Sequence, residues 1–289
     1  MELRALRLFA QVVGHGGFSR AAGAAHATQS TLSKAVKQLE EELGLPLLER
    51  LPKGVRLTTA GAVVHRRALA LLAQLDDLGA ELDELKGLRR GVLRLGVPCV
   101  GGDALFAEPL AEYRRRHPGI EVQLTEQGGR RLEELVLAGE IELGASLLPV
   151  PDDFAWKELR REPIDLLVPA DDPLAAAGDA SFMDVVGHPV ILYSPEFALN
   201  SIILDAFKEN KAEPKIAAQT SQVGLVIALV AARLGVAFLP RMIAREANHP
   251  ATRCLAIGKP AIYWHMALIW RRDGHLSPEA KAWLAIDQR

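Results

Sequence analysis

Two lysines stand among hydroxyl and amide side chains in the run Gln29-Ser30-Thr31-Leu32-Ser33-Lys34-Ala35-Val36-Lys37. These are the groups that hydrogen-bond to base edges and neutralise phosphates, provided one element aligns them on one side. Leu32, Val36, Leu39 and Leu43 recur at intervals of four, three and four, so a helix from Gln29 carries them as a single apolar stripe. On that wheel Ser30, Lys34 and Lys37 fall roughly 140 to 200° from the stripe, with Thr31, Ser33 and Gln38 on its flanks. Thr28 is the expected N-cap, and Gly44 before Pro46 is the expected stop. Upstream, Ser19 reads as the N-cap of an Ala-rich helix running to about Ala25, with His26 and Ala27 as the turn. The segment is laid out as a helix-turn-helix DNA reader. An amphipathic helix pair in a bundle fits this segment about equally well.

Residues 47–57 favour the DNA reader. Leu47-Leu48-Glu49-Arg50 and Val55-Arg56-Leu57 read as short strands around the turn signal Pro52-Lys53-Gly54. Such a wing would bring Arg50, Lys53 and Arg56 within reach of phosphates or a minor groove.

Beyond the wing the period lengthens. Val64, Ala68, Leu71, Leu75, Leu78, Leu82 and Leu85 are spaced alternately four and three, the a/d seam of a helix over about 59–88. At 1.5 Å per residue the seam is roughly 32 Å long, enough to hold two chains together. Packing on the chain's own core is the alternative.

From Gly91 strands alternate with helices: strand 92–97, helix 105–116, strand 120–124, helix 130–138 and strand 141–145. A second run includes strands at 164–168, 189–193, 216–218 and 236–239, with helices from about Asn200 and over 222–234. Segments 262–269 and 278–285 would return to the first lobe. Two α/β lobes joined by two crossings imply a cleft at strand C-terminal ends.

The composition suits a soluble globular chain of 289 residues, 49% hydrophobic and 24% charged, with a net charge of −2. Its charge is uneven: residues 1–61 hold eight Lys/Arg against five acids, leaving −5 for the remainder. This bias is modest, so DNA affinity would lean on dimerisation and directed contacts too. There is no leader pattern and no run of about 20 apolar residues, and two cysteines, Cys99 and Cys254, form no CxxC pair. A cytoplasmic protein without a membrane partner is expected. The eight histidines are scattered without HExxH spacing, and there is no GxSxG, P-loop or dinucleotide fingerprint, so neither metal nor cofactor is expected. Catalysis would have to rest on Cys99, for which a small pocket-wall residue or buried thiol is the commoner role.

Taken together, the order and spacing of Met1-Glu2-Leu3, Phe9, Ser19-Arg20-Ala21-Ala22, Gln29-Ser30, Ser33, Leu39-Glu40, Leu43-Gly44, Leu48-Glu49-Arg50, Leu57-Thr58 and Ala60-Gly61 resemble the LysR-type transcriptional regulators. Gly139-Glu140-Ile141-Glu142-Leu143 and Leu229-Val230-Ala231-Ala232 extend the likeness through the second half. The sequence departs at Lys34, where many members carry Arg; a lysine is a point charge and makes no forked contact to guanine.

The resemblance implies a winged helix-turn-helix over 1–58, a linker and dimerisation helix over 59–90, and a two-lobed periplasmic-binding-protein-like effector domain over 91–289. Lobe I would comprise about 91–162 and 267–289, and lobe II about 163–266. It implies double-stranded promoter DNA as a partner, a homodimer, and a homotetramer through effector-domain contacts. The DNA set is Ser19, Thr28, Gln29, Ser30, Thr31, Ser33, Lys34 and Lys37, with Arg50, Lys53 and Arg56 on the wing. Carried onto this sequence, the effector would meet Pro98, Cys99, Val100, Gly101, Gln127, Gly129, Ser146 and Leu147 in one lobe. In the other it would meet Tyr193, Ser194, Asn200, Ser221, Gln222 and Phe238. None of these is Arg or Lys, and Cys99 and Leu147 stand where relatives often have a hydroxyl or a base. The expected effector is an organic acid or aromatic metabolite, with a neutral apolar ligand as the alternative. An effector-independent regulator, or an enzyme with a DNA-binding module, are the competing functions.

Overall fold

The computed structural model describes every residue except 25–26, 52–53, 86–90, 177, 196, 248, 259–260 and 287–289. It divides into two compact units, Met1–Arg89 with Leu137–Glu140, and Arg90–Val136 with Ile141–Arg289.

In the first unit α1 (Leu3–Gly14), α2 (Phe18–Ala24) and α3 (Gln29–Leu43) precede the hairpin β1 (Leu48–Leu51) and β2 (Gly54–Leu57), and α4 (Thr59–Leu85) comes after it. The core is built from helix periodicity: Leu6, Phe9 and Val12 of α1 meet Leu32, Val36 and Leu39 of α3, with Ala21, Leu47 and Ala68. The Thr28 side chain accepts from Thr31 N as the N-cap of α3, and Gly44 ends that helix at φ 68° in the left-handed region. Ser19 is not a cap: α2 starts one residue earlier at Phe18, whose ring packs on the core and draws the backbone into helix. Leu43 also departs from its stripe, being 36% exposed at the helix end. The turn after α3 is fixed by Glu40 Oε1, which accepts from Leu47 N at 2.7 Å and Leu48 N at 3.1 Å. Gly61 is required where it stands, since a Cβ there would lie 1.9 Å from the Leu47 carbonyl oxygen.

The second unit is organised by one continuous sheet. Its chain order is β3 (Val92–Pro98), α5 (Gly102–Arg116), β4 (Glu121–Gln127), α6 (Gly129–Leu137), β5 (Leu143–Leu147) and β6 (Phe154–Pro169). Then come β7 (Asp179–Ala180), α7 (Phe182–Val185), β8 (Pro189–Tyr193), α8 (Ala198–Glu209), β9 (Lys215–Thr220) and α9 (Val223–Ala231). The chain closes with β10 (Val236–Pro240), α10 (Arg241–Ala247), β11 (Thr252–Ile257), β12 (Tyr263–Arg271) and α11 (Pro278–Leu284). The strand order is β4-β3-β5-β12-β6-β10-β8-β9, with β11 also on β6.

β6 is the beam shared by the lobes. Residues Phe154 to Pro163 pair antiparallel with β12, whereas Ile164 to Pro169 lie between β10 and β11. Its second part is buried throughout because it is covered on both faces, and Asp165 is the one charge there. That carboxylate accepts two bonds from Arg241, at 2.8 and 2.9 Å. Local pattern predicts a strand only from Ile164. Five of the ten preceding residues are charged, and pairing with a strand about a hundred positions later holds them extended. β12 and α11 do return to the first lobe: β12 pairs with β5, and Trp283 of α11 stacks on Phe106 of α5.

Candidate functional site

With the apolar stripe of α3 inside, its other face is open. Gln29, Ser30, Thr31, Lys34 and Lys37 are exposed, and Ser33 is half-buried. Lys37 also pairs with Glu41 at 3.5 Å one turn on. The start of the helix is stiffened by Thr28 Oγ1, which lies 2.8 Å from both Ser30 Oγ and Thr31 Oγ1. Ser19 Oγ donates to Gln29 Oε1 at 3.4 Å, so α2 and α3 bring their polar residues to one edge. The hairpin adds to the same surface: Arg50 donates to Ser33 Oγ at 3.0 Å, and its guanidinium sits 5.1 Å from the Phe18 ring centre. Arg56 is differently occupied, its guanidinium held by Glu49 across the hairpin. Lys53 lies outside the described residues. The surface can hydrogen-bond to base edges and neutralise phosphates.

α4 has a divided seam. Ala68 is buried in the first unit's core and Val64 packs against it, but Leu71, Leu75, Leu78 and Leu82 are 41–54% exposed. The Leu85 side chain is outside the described residues.

In the second unit a pocket lies where β3, β4 and β5 end. Lobe I contributes Pro98, Cys99 and Val100, then Gln127, Gly128 and Gly129, then Ser146 and Leu147. Lobe II contributes Phe197, Ala198 and Leu199, and the crossing strand β12 contributes Trp264 and Met266. Its free volume is small, about 30 Å³. Pro98 and Cys99 also line a wider opening of about 390 Å³ with Ser221, Gln222, Asp103 and Glu126. Gly101 is needed twice over: its φ is 78°, and a Cβ would meet the Trp264 ring at 2.9 Å.

Beside Gln127, two elements build a second polar part of the wall. Ser146 Oγ, nearly fully buried at the end of β5, donates to Glu133 Oε1 of α6 at 2.5 Å. Burial pushes the Glu133 carboxyl above its ordinary range, partly offset by the Ser146 bond and by Arg130.

The inner pocket thus gathers Pro98, Cys99, Val100, Gln127, Gly129, Ser146 and Leu147, while Gly101, Ser221 and Gln222 border the outer opening. Four residues expected there line neither. Phe238 is packed in lobe II between Phe182 and Phe207, because its strand is covered on both faces. Tyr193 and Asn200 are buried, with the Tyr193 hydroxyl and Asn200 Oδ1 lacking a hydrogen-bond partner among the described residues. Ser194 is half-buried where β8 meets β9. Sequence reading missed Phe197, Leu199, Trp264 and Met266. The alternation of Tyr263 to Trp270 could have shown that Trp264 and Met266 share a face, but not that this face meets the cleft.

This architecture has relatives. Residues 3–62 match the model of the bacterial regulatory helix-turn-helix proteins of the lysR family, and residues 86–287 match the LysR substrate binding domain. The chain belongs to the LysR family. As a LysR-type transcriptional regulator it binds DNA through its helix-turn-helix and carries an effector-binding domain. It is 31% identical to the HTH-type transcriptional regulator YwbI of Bacillus subtilis over 98% of this chain and 95% of that one. To BenM of Acinetobacter baylyi it is 30% identical over 83% and 80% of the two chains. Among solved structures, full-length OxyR from Pseudomonas aeruginosa superposes with a TM-score of 0.66 at 25% identity, covering 99% of this chain and 96% of that one. Full-length BenM gives 0.60 at 27% identity, over 98% and 94%. No helix among the described residues is long and apolar enough to cross a membrane.

Proposed function

We propose that this LysR-type regulator acts in the cytoplasm as a dimer joined along α4, reading promoter DNA with α3 and responding to a small molecule held between the lobes of its second unit. The observation that carries the reading is the separation of faces on α3: Leu32, Val36 and Leu39 are buried while Ser30, Lys34 and Lys37 are exposed. Gln29, Ser30, Thr31 and Ser33 supply groove contacts, and Lys34, Lys37 and Arg50 supply charge to the phosphates. Ser19 and Thr28 hold the start of α3 in place, and Arg56 acts through its wing partner Glu49. A dimer sets two such helices on a two-fold site, which supplies specificity a weakly basic module lacks. Two dimers associating through their effector domains would give the tetramer. Effector binding biases one lobe arrangement, and its leverage equals its differential affinity for the arrangements it distinguishes.

Gel-shift titration of the regulator's own upstream region tests the assignment. Lys34→Ala and Lys37→Ala should each weaken binding and shallow the salt dependence by about one unit of slope. Undiminished binding and slope in both variants would reject α3 as the reading helix.

A regulator that needs no effector is favoured by one observation, the small free volume of the inner pocket. Melting temperatures that stay fixed across a broad metabolite panel would support it, because a ligand bound only to the native state must raise stability.

A further inference from the structure

The wing meets the loop between α1 and α2 backbone to backbone, at a point where no side chain fits. β2 begins at Gly54, opposite Leu51 in the hairpin, and Gly54 rests on that loop. A Cβ on Gly54 would stand 2.4 Å from the Gly16 carbonyl oxygen, and one on Gly17 would reach the Gly54 Cα at 3.5 Å. The first of these is about 1 Å inside ordinary contact. The φ of Gly54 is 144° and that of Gly16 is 66°, both in the region that favours glycine. The Gly16 carbonyl also accepts from Arg20 Nη2 at 2.8 Å, so α2 ties down the oxygen on which Gly54 rests. Gly44 makes the contrast: its φ is 68°, but a Cβ there would meet nothing within 4 Å. Gly44 serves a turn, whereas Gly54 serves a close approach.

What this approach fixes is Arg50. It lies opposite Val55 in the hairpin and reaches both Ser33 of α3 and the Phe18 ring. A hydrogen bond to a phosphate holds over a span of only about 0.5 Å, so a wing lifted by about 1 Å takes Arg50 away from the phosphate it meets while α3 stays in its groove. We propose that Gly16, Gly54 and Arg20 form a latch that sets the spacing between wing and α3, which makes them positioning residues for DNA binding that touch no DNA themselves. The inference rests on α3 being the reading helix.

Fluorescence anisotropy of the full-length protein on its own upstream region, over a salt series, tests the latch. Gly54→Ala should weaken binding by about tenfold and shallow the salt dependence by about one unit of slope, as the loss of one phosphate contact requires. Arg50→Ala should do the same in the parent, yet weaken Gly54→Ala by less than about twofold further, because a lifted wing has no contact left to lose. Arg20→Met should weaken binding about threefold in the parent and hardly at all beside Gly54→Ala. Gly44→Ala, strained but with open space, should stay within about twofold of the parent. Melting curves verify that each variant is folded; should Gly54→Ala fail to fold, the pair Arg20→Met and Arg50→Ala carries the same test of coupling. Parental affinity in Gly54→Ala, losses from Gly54→Ala and Arg50→Ala that multiply, or an equal loss in Gly44→Ala would each overturn the latch. A loss from Arg20→Met that multiplies with Gly54→Ala would make Arg20 a DNA contact of its own and remove it from the latch. Lys34→Ala and Lys37→Ala measured alongside keep the two readings apart: if both bind undiminished, α3 is not the reading helix, and if they weaken while Gly54→Ala does not, the latch alone fails.

Discussion

Cys254 is solvent-exposed by residue, yet its thiol reaches 3.5 Å from Asp165 Oδ2. Burial of the sulfur, and then the Asp165 charge, push its pKa up to about 12. A thiolate is the reactive form, so at pH 8 only about one thiol in ten thousand is poised to react. Iodoacetamide labelling read by peptide mass spectrometry should therefore climb about tenfold per pH unit through pH 10, where an ordinary cysteine has levelled off. A plateau near pH 9 would contradict this environment. None of it is legible in the sequence, because Asp165 and Arg241 come to Cys254 from distant positions. Lys34 and Lys37 are the opposite case. Their exposure is set by the spacing of the buried Leu32, Val36 and Leu39 on one helix, which is local information. Phe238 marks the limit between the two, since a strand residue's burial depends on what covers each face, and here both are covered.

At the scale of elements, α4 makes the sharpest case. A heptad pattern says that a helix wants a partner, and the fold shows the pattern serving two purposes along its length. Val64 and Ala68 are used by the first unit's own core, whereas Leu71, Leu75, Leu78 and Leu82 remain open. Four leucines on one stripe are a cost in water that pairing with a second copy of the helix, as proposed, would remove, at about 1.5–3 kcal/mol for each one fully buried. Replacing Leu75 and Leu78 together by Glu should leave a folded chain, reduce the mass in light scattering to that of a single chain, and weaken operator binding. Retention of the parent mass would show that another surface joins the chains. β6 behaves in the reverse way. Five of its residues 157–162 are charged and carry no strand pattern of their own, but they are held extended by β12 and become the link between lobes.

The whole molecule has two units with separate cores, and that separation is itself testable. Trp283 is fully buried in the second unit, with its ring against Phe106 at 6.1 Å and Tyr113 at 5.5 Å. Trp283→Ala should cost the second unit about 3–5 kcal/mol and leave the first unchanged. Scanning calorimetry should then show one transition moved to lower temperature and one left in place, two-state behaviour not being expected of such a chain. A single transition that shifts as a whole would mean that the units unfold together. The sequence by itself determined the helix faces, the caps at Thr28 and Gly44, the alternation of strands and helices, and the membership of the LysR family, because period, capping and turn chemistry act within a few residues. Only the tertiary structure decided which strand ends share the cleft, that Trp264 and Met266 wall it, and that Ser146 spends its proton on Glu133. Those relations join residues far apart in the chain, and sheet order and side-chain pairing fix them rather than any local preference.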